Sequence, residues 1–243
     1  MRIVDCPESS LPPPAQRADA LNAALPVEIA SEHGMDLYID GRFTLRMVCT
    51  PEHLAELTAG RLITEGWARR KEDIQSIEVS GGGLRADVTL VKGPAAPEDT
   101  PPVTPRPWKE SWLRRAAERM REEEPLYART HAAHACYLGC GDELLCCRED
   151  IGRHNALDKA VGYALLEGID RKNCYLFTTG RMPTDMVLKA VRASIPLLAS
   201  KTYPTAEGVA LARRARLTLV TLRPGGSLLI WADGALKDEE ACP

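Results

Sequence analysis

The sequence predicts an α/β protein, in which a small α+β lobe precedes an α/β layer with a mixed, largely parallel sheet. The second part is predicted by short β-like runs that alternate with amphipathic segments after residue 130. The first part is predicted by several β-like runs around one helical segment between residues 26 and 93. A chain of 243 residues is long enough for such a core with a small lobe.

The composition of the chain argues against disorder, nucleic-acid binding and membrane insertion. Hydrophobic residues make up 44% and charged residues 27% of the chain, and the formal net charge is -3, values that exclude a chain disordered throughout. The near-neutral balance argues against a protein that grips a nucleic-acid backbone. No apolar run approaches the ~18 residues of a membrane span, and residues 1–25 lack the apolar centre of a signal peptide. We therefore expect a cytoplasmic protein that binds neither nucleic acid nor a membrane.

The eight cysteines indicate reduced thiols rather than a disulfide framework, because the sequence shows no export signal. Four of them fall between residues 136 and 147, and no C-x-x-C pair occurs. A zinc site would need two such pairs or added histidines. We therefore expect no metal site.

Prolines and periodicity divide the chain. Residues 1–25 contain three consecutive prolines and no clear periodicity, which predicts a loose leader. Six of the fourteen residues from 94 to 107 are proline, and an amphipathic run at 108–122 follows them. We therefore expect the following divisions: a small lobe at 26–93, a proline-rich linker plus a helix at 94–129, and a second domain at 130–243.

Local signals place the elements of the small lobe. Asp40-Gly41 predicts a tight hairpin turn. Thr50 and Pro51 predict a helix start, as N-cap and first helical residue, and Gly66 predicts the end of that helix. Two further strands are expected to follow, at 74–79 and 84–91.

The second domain is expected to open with a hairpin and then to alternate helices with strands. The hairpin is predicted at 135–138 with 144–147. Helices are predicted at 155–167, 184–193 and 205–214, and strands at 174–178, 196–200, 217–222 and 228–232. Three strand-to-helix turns, at 151–155, 178–181 and 200–205, share one design. Because such turns lie at one edge of a parallel sheet, we expect them to converge.

The converging turns predict an anion or nucleotide site. Helix N-termini present unpaired N–H groups and a partial positive charge, which suit phosphate, and Asn155 is expected to be one such N-cap. Any single turn is better explained by capping and solvated cations, whereas three at one edge favour a site. Cations and permissive glycines accompany the turns: Arg153, His154, Arg181 and Lys201, with Gly152 and Gly180.

One long motif carries a resemblance to a known family. Residues 149–159 read EDIGRHNALDK, and Thr179-Gly180-Arg181 and Tyr203-Pro204-Thr205 follow in order. These residues closely resemble the formate dehydrogenase accessory sulfurtransferase family, FdhD. The resemblance extends over roughly residues 26–233.

The resemblance implies a fold, partners and an activity. The second domain is expected to be a cytidine-deaminase-like α/β/α sandwich in a homodimer. Family members take sulfur from a cysteine desulfurase and pass it to the bis-molybdopterin guanine dinucleotide (bis-MGD) form of the molybdenum cofactor, which formate dehydrogenase or a related molybdoenzyme needs. By motif match, the cofactor-binding residues are expected to be Gly152, Arg153, His154, Asn155, Asp158, Lys159, Gly180, Arg181, Pro204, Thr205, Leu222, Arg223, Pro224, Gly225, Gly226 and Ser227.

The sequence departs from the family at its catalytic cysteines. The family carries its persulfide on a C-x-x-C pair, and the corresponding loop here has Thr104 and Pro107 at those places. The T-G-G-x-H-A segment that follows it in the family has lost both glycines here, although His134 is kept. Neither threonine nor proline can form a cleavable S–S bond, so the family's catalytic residues cannot be transferred to this chain.

Three hypotheses follow. The chain is a sulfur carrier with a relocated thiol, and the candidates are Cys136, Cys140 and Cys147; Cys140 is expected at an exposed hairpin tip, and Cys136 and Cys140 are close in sequence to the cofactor edge. Alternatively, it binds, delivers or shields the cofactor without moving sulfur. A zinc hydrolase is set aside, because the H-x-E and P-C-x-x-C steps of that chemistry are absent.

Overall fold

The computed structural model describes residues 1–20, 27–94, 100–122, 125–223 and 226–234. In chain order, the strands are β1 (Arg2–Val4), β2 (Ala15–Ala18), β3 (Val27–Ala30), β4 (His33–Ile39), β5 (Arg42–Cys49), β6 (Ile74–Ser80), β7 (Arg85–Leu90), β8 (His134–Cys140), β9 (Glu143–Asp150), β10 (Cys174–Thr178), β11 (Leu197–Ser200), β12 (Thr218–Leu222) and β13 (Leu228–Ala232). The α-helices are α1 (Leu54–Thr64), α2 (Glu110–Glu122), α3 (Pro125–Thr130), α4 (Arg153–Leu166), α5 (Thr184–Arg192) and α6 (Ala206–Arg214). No helix in these ranges is long and apolar enough to cross a membrane.

The small lobe is a five-stranded sheet in the order β1-β6-β7-β4-β5, with α1 packed against it. The predicted hairpin turn is confirmed: Asp40 and Gly41 both have positive φ, at 49° and 76°, as a two-residue turn of this twist requires. The leader, expected to be loose, carries two strands. β1 adds in parallel to β6, and β2 pairs with β3. Strands of three and four residues are too short to show a periodicity in the sequence. They are stabilised by hydrogen bonds to a neighbouring strand, which a sequence pattern does not reveal.

The predicted start of α1 at Thr50 is wrong. The helix begins at Leu54, after His53 in the left-handed region with φ 54°. Thr50 is instead used by a contact with the second domain, since its backbone N–H donates to Asp150 Oδ2 over 3.0 Å. Thr50 therefore makes a tertiary contact and does not cap the helix. The end of the helix is close to the prediction, because Gly66, with φ 80°, lies just beyond the C-cap Glu65.

The second sheet has six strands in the order β13-β12-β11-β10-β8-β9. The strands β9, β10, β11 and β12 run in one direction, and β8 and β13 run in the other, which confirms the predicted mixed sheet. The prediction that it is largely parallel is wrong, because only β10–β11 and β11–β12 of its five described pairings are parallel. Apolar residues of α4, α5 and α6 belong to the core on one face of this sheet, and those of α2 belong to the core on the other. Helices thus lie on both faces of the sheet.

The two lobes share one core through a very close crossing of α1 and α4. A Cβ atom on Gly60 would lie 1.7 Å from the carbonyl oxygen of Asp158, and one on Gly162 would lie 1.8 Å from that of Glu56. Only glycine allows two helix backbones to approach this closely. The buried apolar residues around this crossing continue from the first sheet to the second.

Candidate anion-binding site

The candidate site lies at the edge of the second sheet where the strands β9 to β12 end, called here the carboxyl edge. Because β8 and β13 run in the opposite direction, their first residues, His134 and Leu228, lie at the same edge. The strand-to-helix turns before α4, α5 and α6 follow the strand ends. The topology therefore places the three turns where the sequence predicted them.

The turn before α4 is organised by Asp150. Its Oδ1 accepts hydrogen bonds from the Gly152 N–H at 2.9 Å and from Asn155 Nδ2 at 3.0 Å. The N-cap of α4 is Gly152, so the prediction of Asn155 as N-cap is wrong. Asn155 is buried within the first turn and also donates to the Val48 carbonyl at 2.7 Å. Its amide therefore fixes the turn to the small lobe.

The turns before α5 and α6 are joined by hydrogen bonds. Thr178 Oγ1 accepts from the Gly180 N–H at 3.1 Å, and Ser200 Oγ donates to the Gly180 carbonyl at 2.7 Å. Met182 and Pro204 form a β-bridge between the two turns. Thr205 is the N-cap of α6, which begins one residue after its predicted start, and its side chain accepts from the Gly208 N–H.

Gly180 brings the first and second turns into contact. A Cβ atom there would lie 2.7 Å from the Cβ of Arg153 and 3.0 Å from its Cδ. The glycine is therefore required by the close approach of the Arg153 side chain. Arg153 and Gly180 are thus direct neighbours at the carboxyl edge.

The pKa of His134 reflects the positive charge at this edge. Its Nδ1 lies 3.1 Å from Thr179 Oγ1, in the turn before α5. Burial is the first cause that lowers the pKa of His134, and the charges of nearby basic side chains are the second. These side chains come from all three turns: Arg153, Lys201, His154 and Arg181. The edge therefore carries concentrated positive charge, although the whole chain has a net charge of -3.

His154 has a carboxylate partner. Its Nε2 lies 2.6 Å from Asp185 Oδ2, near the start of α5. Burial lowers the pKa of His154, and the bond to Asp185 opposes that effect. Burial also opposes ionisation of Asp185, but the hydrogen bond and charge of His154 outweigh it and lower the pKa of Asp185. This pair fixes α4 relative to α5, so it orders the site.

An orphaned donor shows that the edge fits an anion. Arg153 Nε is buried and has no hydrogen-bond partner within the described part of the chain. A buried guanidinium N–H without an acceptor is costly, and a phosphate oxygen is an acceptor of the right charge. The residues present therefore fit a phosphate-bearing ligand such as bis-MGD. They would hold its phosphates through Arg153, Arg181, Lys201 and the helix N-termini.

Asp158 and Lys159 do not face this edge. Both side chains have no exposed surface, so neither can offer an atom to a ligand, and their expected role in cofactor binding is corrected. Asp158 accepts from Thr64 Oγ1 at 2.7 Å and from Lys189 Nζ at 3.0 Å. Lys159 Nζ lies 2.7 Å from Asp150 Oδ2. The same motif therefore supplies contacts between the lobes together with Arg153 at the carboxyl edge.

The connection between β12 and β13 also lies at the carboxyl edge. Leu222 is buried in the core under α2, so its side chain does not face a ligand, whereas Arg223 and Ser227 are exposed. The Gly226 N–H donates to the Arg223 carbonyl at 3.0 Å. The two remaining residues expected here, Pro224 and Gly225, lie outside the described residues.

The three candidate thiols are not gathered at the carboxyl edge. Cys136 is near it, opposite Thr178 in the sheet, but its side chain is fully buried, and burial raises its pKa well above the ordinary value. Cys147 is half-buried and packs against the core on the α2 side. Cys140 ends β8 and is half-buried rather than exposed, which corrects its placement at an exposed tip. Cys140 and His134 are at the two ends of the seven-residue strand β8, roughly 20 Å apart.

Residues 104–107, where the resemblance would place a C-x-x-C pair, lie at the opposite end of the sheet, called here the amino edge. The neighbouring Val103 donates its backbone N–H to the carbonyl of Ala215, just before β12. Thr104 lines a cavity of about 300 Å³ together with Lys172 and Ser194, which precede β10 and β11. The altered loop and the cationic turns are therefore on different edges.

Sequence reasoning missed two cations that hold α4 in place, Arg61 of the small lobe and Lys189 of α5. Arg61 of α1 forms an ion pair with Asp158 at 3.1 Å, and its Nη2 donates to Asn155 Oδ1 at 3.2 Å. Lys189 of α5 reaches the same carboxylate. The available signal was the pair Gly60 and Gly162, each a glycine within a predicted helix, which indicates close helix packing.

Comparisons with known proteins agree with the motif at residues 149–159. The FdhD/NarQ family model matches residues 30–100 and 89–235. The chain is 30% identical over 229 residues to the "Sulfur carrier protein FdhD" of Methanothermobacter thermautotrophicus, covering 85% of this chain and 90% of that protein. It is 29% identical over 242 residues to the protein so named from Geobacillus kaustophilus, covering 84% and 88%.

A solved structure is also similar. It is described as a putative formate dehydrogenase accessory protein from Desulfotalea psychrophila, and it matches with a TM-score of 0.78 and 29% identity over 90% of this chain and 96% of that chain. The similarity thus covers both lobes and the cationic carboxyl edge between residues 134 and 223. This chain belongs to the FdhD/NarQ family of sulfur carrier and formate dehydrogenase accessory proteins.

Proposed function

We propose that this chain is an accessory protein for formate dehydrogenase, or a related molybdoenzyme, that binds bis-MGD at the carboxyl edge and carries sulfur to it from a cysteine desulfurase. The observation that supports cofactor binding is the buried, unpartnered Arg153 Nε among several cations. Bis-MGD carries several phosphates, and charge-assisted hydrogen bonds to phosphate are among the strongest that a protein makes.

In this proposal, some residues of the carboxyl edge bind phosphate and others hold the turns in position. Arg153 and Arg181 bind phosphate oxygens, and the N-termini of α4, α5 and α6 add backbone N–H groups and partial positive charge. Asp150 holds the turn before α4, and the His154–Asp185 pair holds α4 against α5. The small lobe keeps this arrangement rigid through Arg61 and Asn155.

A second candidate function is binding and delivery of the cofactor without sulfur transfer. The observation that favours it is the absence of an accessible thiol at the carboxyl edge within the described ranges. Cys136, the cysteine opposite the strand end Thr178, is fully buried and has a raised pKa, so it does not supply the thiolate that persulfide chemistry requires. Sulfur transfer must therefore use a thiol elsewhere in the chain or not occur.

The proposal extends to the assembly and to the fold family. Helices on both faces of the second sheet support a cytidine-deaminase-like sandwich, and we propose a homodimer as for the family. Light scattering coupled to size-exclusion chromatography tests the dimer. A mass of two chains is expected, and a mass of one chain at micromolar concentration contradicts it.

Complementation tests the function. A host that lacks its own FdhD-family protein would receive the native chain, Arg181→Ala, or the control Arg85→Ala, whose arginine lies on β7 of the small lobe and pairs with Asp87. We expect formate dehydrogenase activity with the native chain and the control, and little with Arg181→Ala. No activity with the native chain, despite bound bis-MGD, favours the second candidate function. No activity and no bound bis-MGD contradict both.

A further inference from the structure

Two thiols that the family motif does not include lie side by side at the amino edge. Cys140, the last residue of β8, is directly opposite Cys174, the first residue of β10. Both are free, and directly opposite residues of paired strands lie on the same face of the sheet, where Cys140 helps to raise the pKa of Cys174. Opposite residues of antiparallel strands have Cα atoms about 4.5–5.5 Å apart, and a disulfide tolerates about 4.4–6.8 Å. The pair is therefore close enough to be bridged without movement of the sheet.

The two thiols differ in access. Cys140 is half-buried, so a reagent in solution can reach it, whereas Cys174 is 2% exposed. Burial first, and then the neighbouring Cys140 and Asp170, raise the pKa of Cys174 to about 12. Cys174 Sγ also donates to the Asp170 carbonyl at 3.5 Å. One thiol is thus available for attack while the other stays protonated beneath it.

An arginine and a cavity lie beside the pair. The guanidinium of Arg171, which is bound to the carbonyls of Ala193 and Arg69, lies close enough to influence Cys174. A second cavity, of about 150 Å³, is lined by Cys174 and Pro107. The dithiol is therefore next to the segment that lacks the C-x-x-C pair, with positive charge nearby.

We propose that Cys140 and Cys174 form a dithiol that accepts a sulfane sulfur from a persulfide donor, with Cys140 as the carrier and Cys174 as the resolving thiol. This inference rests on the proposed function, for which it names the missing sulfur site. It differs from the relocated single thiol expected from sequence, because Cys174 was not a candidate.

The chemistry balances without an oxidant. The Cys140 thiolate attacks the outer sulfur of a donor R–S–SH, the donor S–S bond breaks, and R–S⁻ leaves and takes up a proton, so that Cys140–S–SH forms. Cys174 then loses its proton to solvent and attacks the inner sulfur, at Cys140 Sγ. HS⁻ leaves and a Cys140–Cys174 disulfide forms, which a dithiol reductant restores. The high pKa of Cys174 slows the second step, so the persulfide persists long enough to be used.

Anaerobic incubation with glutathione persulfide, followed by intact-mass measurement and peptide mapping, tests the proposal. We expect Cys174→Ala to retain one added sulfur on Cys140, and the native chain to release sulfide and end with a Cys140–Cys174 disulfide. Cys140→Ala should gain no stable sulfur. The matched control is Cys147→Ala, which removes another half-buried thiol of the same hairpin and should behave as the native chain does.

The outcomes separate this inference from the proposed function. Added sulfur on any other cysteine, or no sulfur on Cys140 in a Cys174→Ala chain that still binds bis-MGD, overturns the dithiol. Sulfur on Cys140 in a chain that fails to bind bis-MGD overturns the cofactor site and leaves the dithiol standing. Far-UV circular dichroism of each variant checks folding, and Cys174→Ser provides a second variant if Cys174→Ala does not fold.

Discussion

Lys159 Nζ lies 2.7 Å from Asp150 Oδ2, and neither side chain has any exposed surface. The lysine also donates to Thr50 Oγ1 at 2.7 Å, so the pair joins α4, the turn before it and the small lobe. The motif at residues 149–159 therefore has two roles: some of its residues face the carboxyl edge, and others hold the lobes together.

The first prediction concerns this buried ion pair. Lys159→Met should lower the free energy of unfolding by about 3–5 kcal/mol, because it leaves the Asp150 carboxylate buried without its charged partner. Urea unfolding followed by circular dichroism measures this. Arg85→Ala, which breaks an exposed pair with Asp87, should unfold as the native protein does. A Lys159→Met protein of native stability that has lost bis-MGD binding would restore Lys159 as a cofactor residue.

The second prediction concerns the crossing of α1 and α4. In an ordinary helix interior, Gly→Ala stabilises a protein by about 0.5–1 kcal/mol. Gly60→Ala should instead destabilise this one, by about 1–3 kcal/mol, because its Cβ would lie 1.7 Å from the Asp158 carbonyl oxygen and the helices must separate. Thermal unfolding shows whether Gly60→Ala raises or lowers stability. An increase in Tm contradicts the close packing of the two lobes.

The third prediction concerns Gly180. Gly180→Ala places a methyl group 2.7 Å from the Cβ of Arg153 and should displace that side chain. We expect weaker binding of bis-MGD, by about tenfold if one charge-assisted hydrogen bond is lost. Equilibrium binding measures this effect, with thermal unfolding as the check on folding. Native affinity in a folded Gly180→Ala protein would show that Arg153 does not need its present position.

The fourth prediction is a pH dependence at His134. Its pKa in the folded protein lies below the unfolded value of about 6.5, so the unfolded chain binds the proton more readily. The contribution to stability is therefore fully present above that value and is lost as the pH falls through it toward the folded pKa. His134→Gln should lack this loss of stability.

NMR titration of the His134 ring measures the same shift directly. Pyrophosphate bound among Arg153, Lys201 and Arg181 neutralises the charges that lower the pKa, so the pKa should rise in its presence. A ring pKa that is unaffected by saturating pyrophosphate would place the anion elsewhere.

Much of the fold could be predicted from sequence because apolar residues recur at regular spacings in its helices and strands. The strands Cys174–Thr178 and Leu228–Ala232 have the predicted bounds, and α5 ends one residue before its prediction. The convergence of the three turns followed from strand direction alone. The start of α1 could not be predicted, because Thr50, a good N-cap by type, is engaged by Asp150 a hundred residues away.

The site was predicted less completely than the fold. A motif shows which residues occur together, but it does not show which face of α4 each occupies, so Asp158 and Lys159 were grouped with Arg153. Closeness in sequence likewise misled for Cys140, because seven residues of β8 carry it from one edge of the sheet to the other. The contact of Cys140 with Cys174 depends on a strand pairing between distant segments.

The most direct test of the account is the affinity of the purified chain for bis-MGD, compared with that of the doubly substituted Arg153→Ala, Arg181→Ala protein. We predict a loss of about a hundredfold or more for the double variant, since each of the two charge-assisted hydrogen bonds contributes roughly 1.5–3 kcal/mol, and native affinity for Arg85→Ala. Equal affinity of the native and doubly substituted proteins would contradict the assignment of the cofactor site to the carboxyl edge.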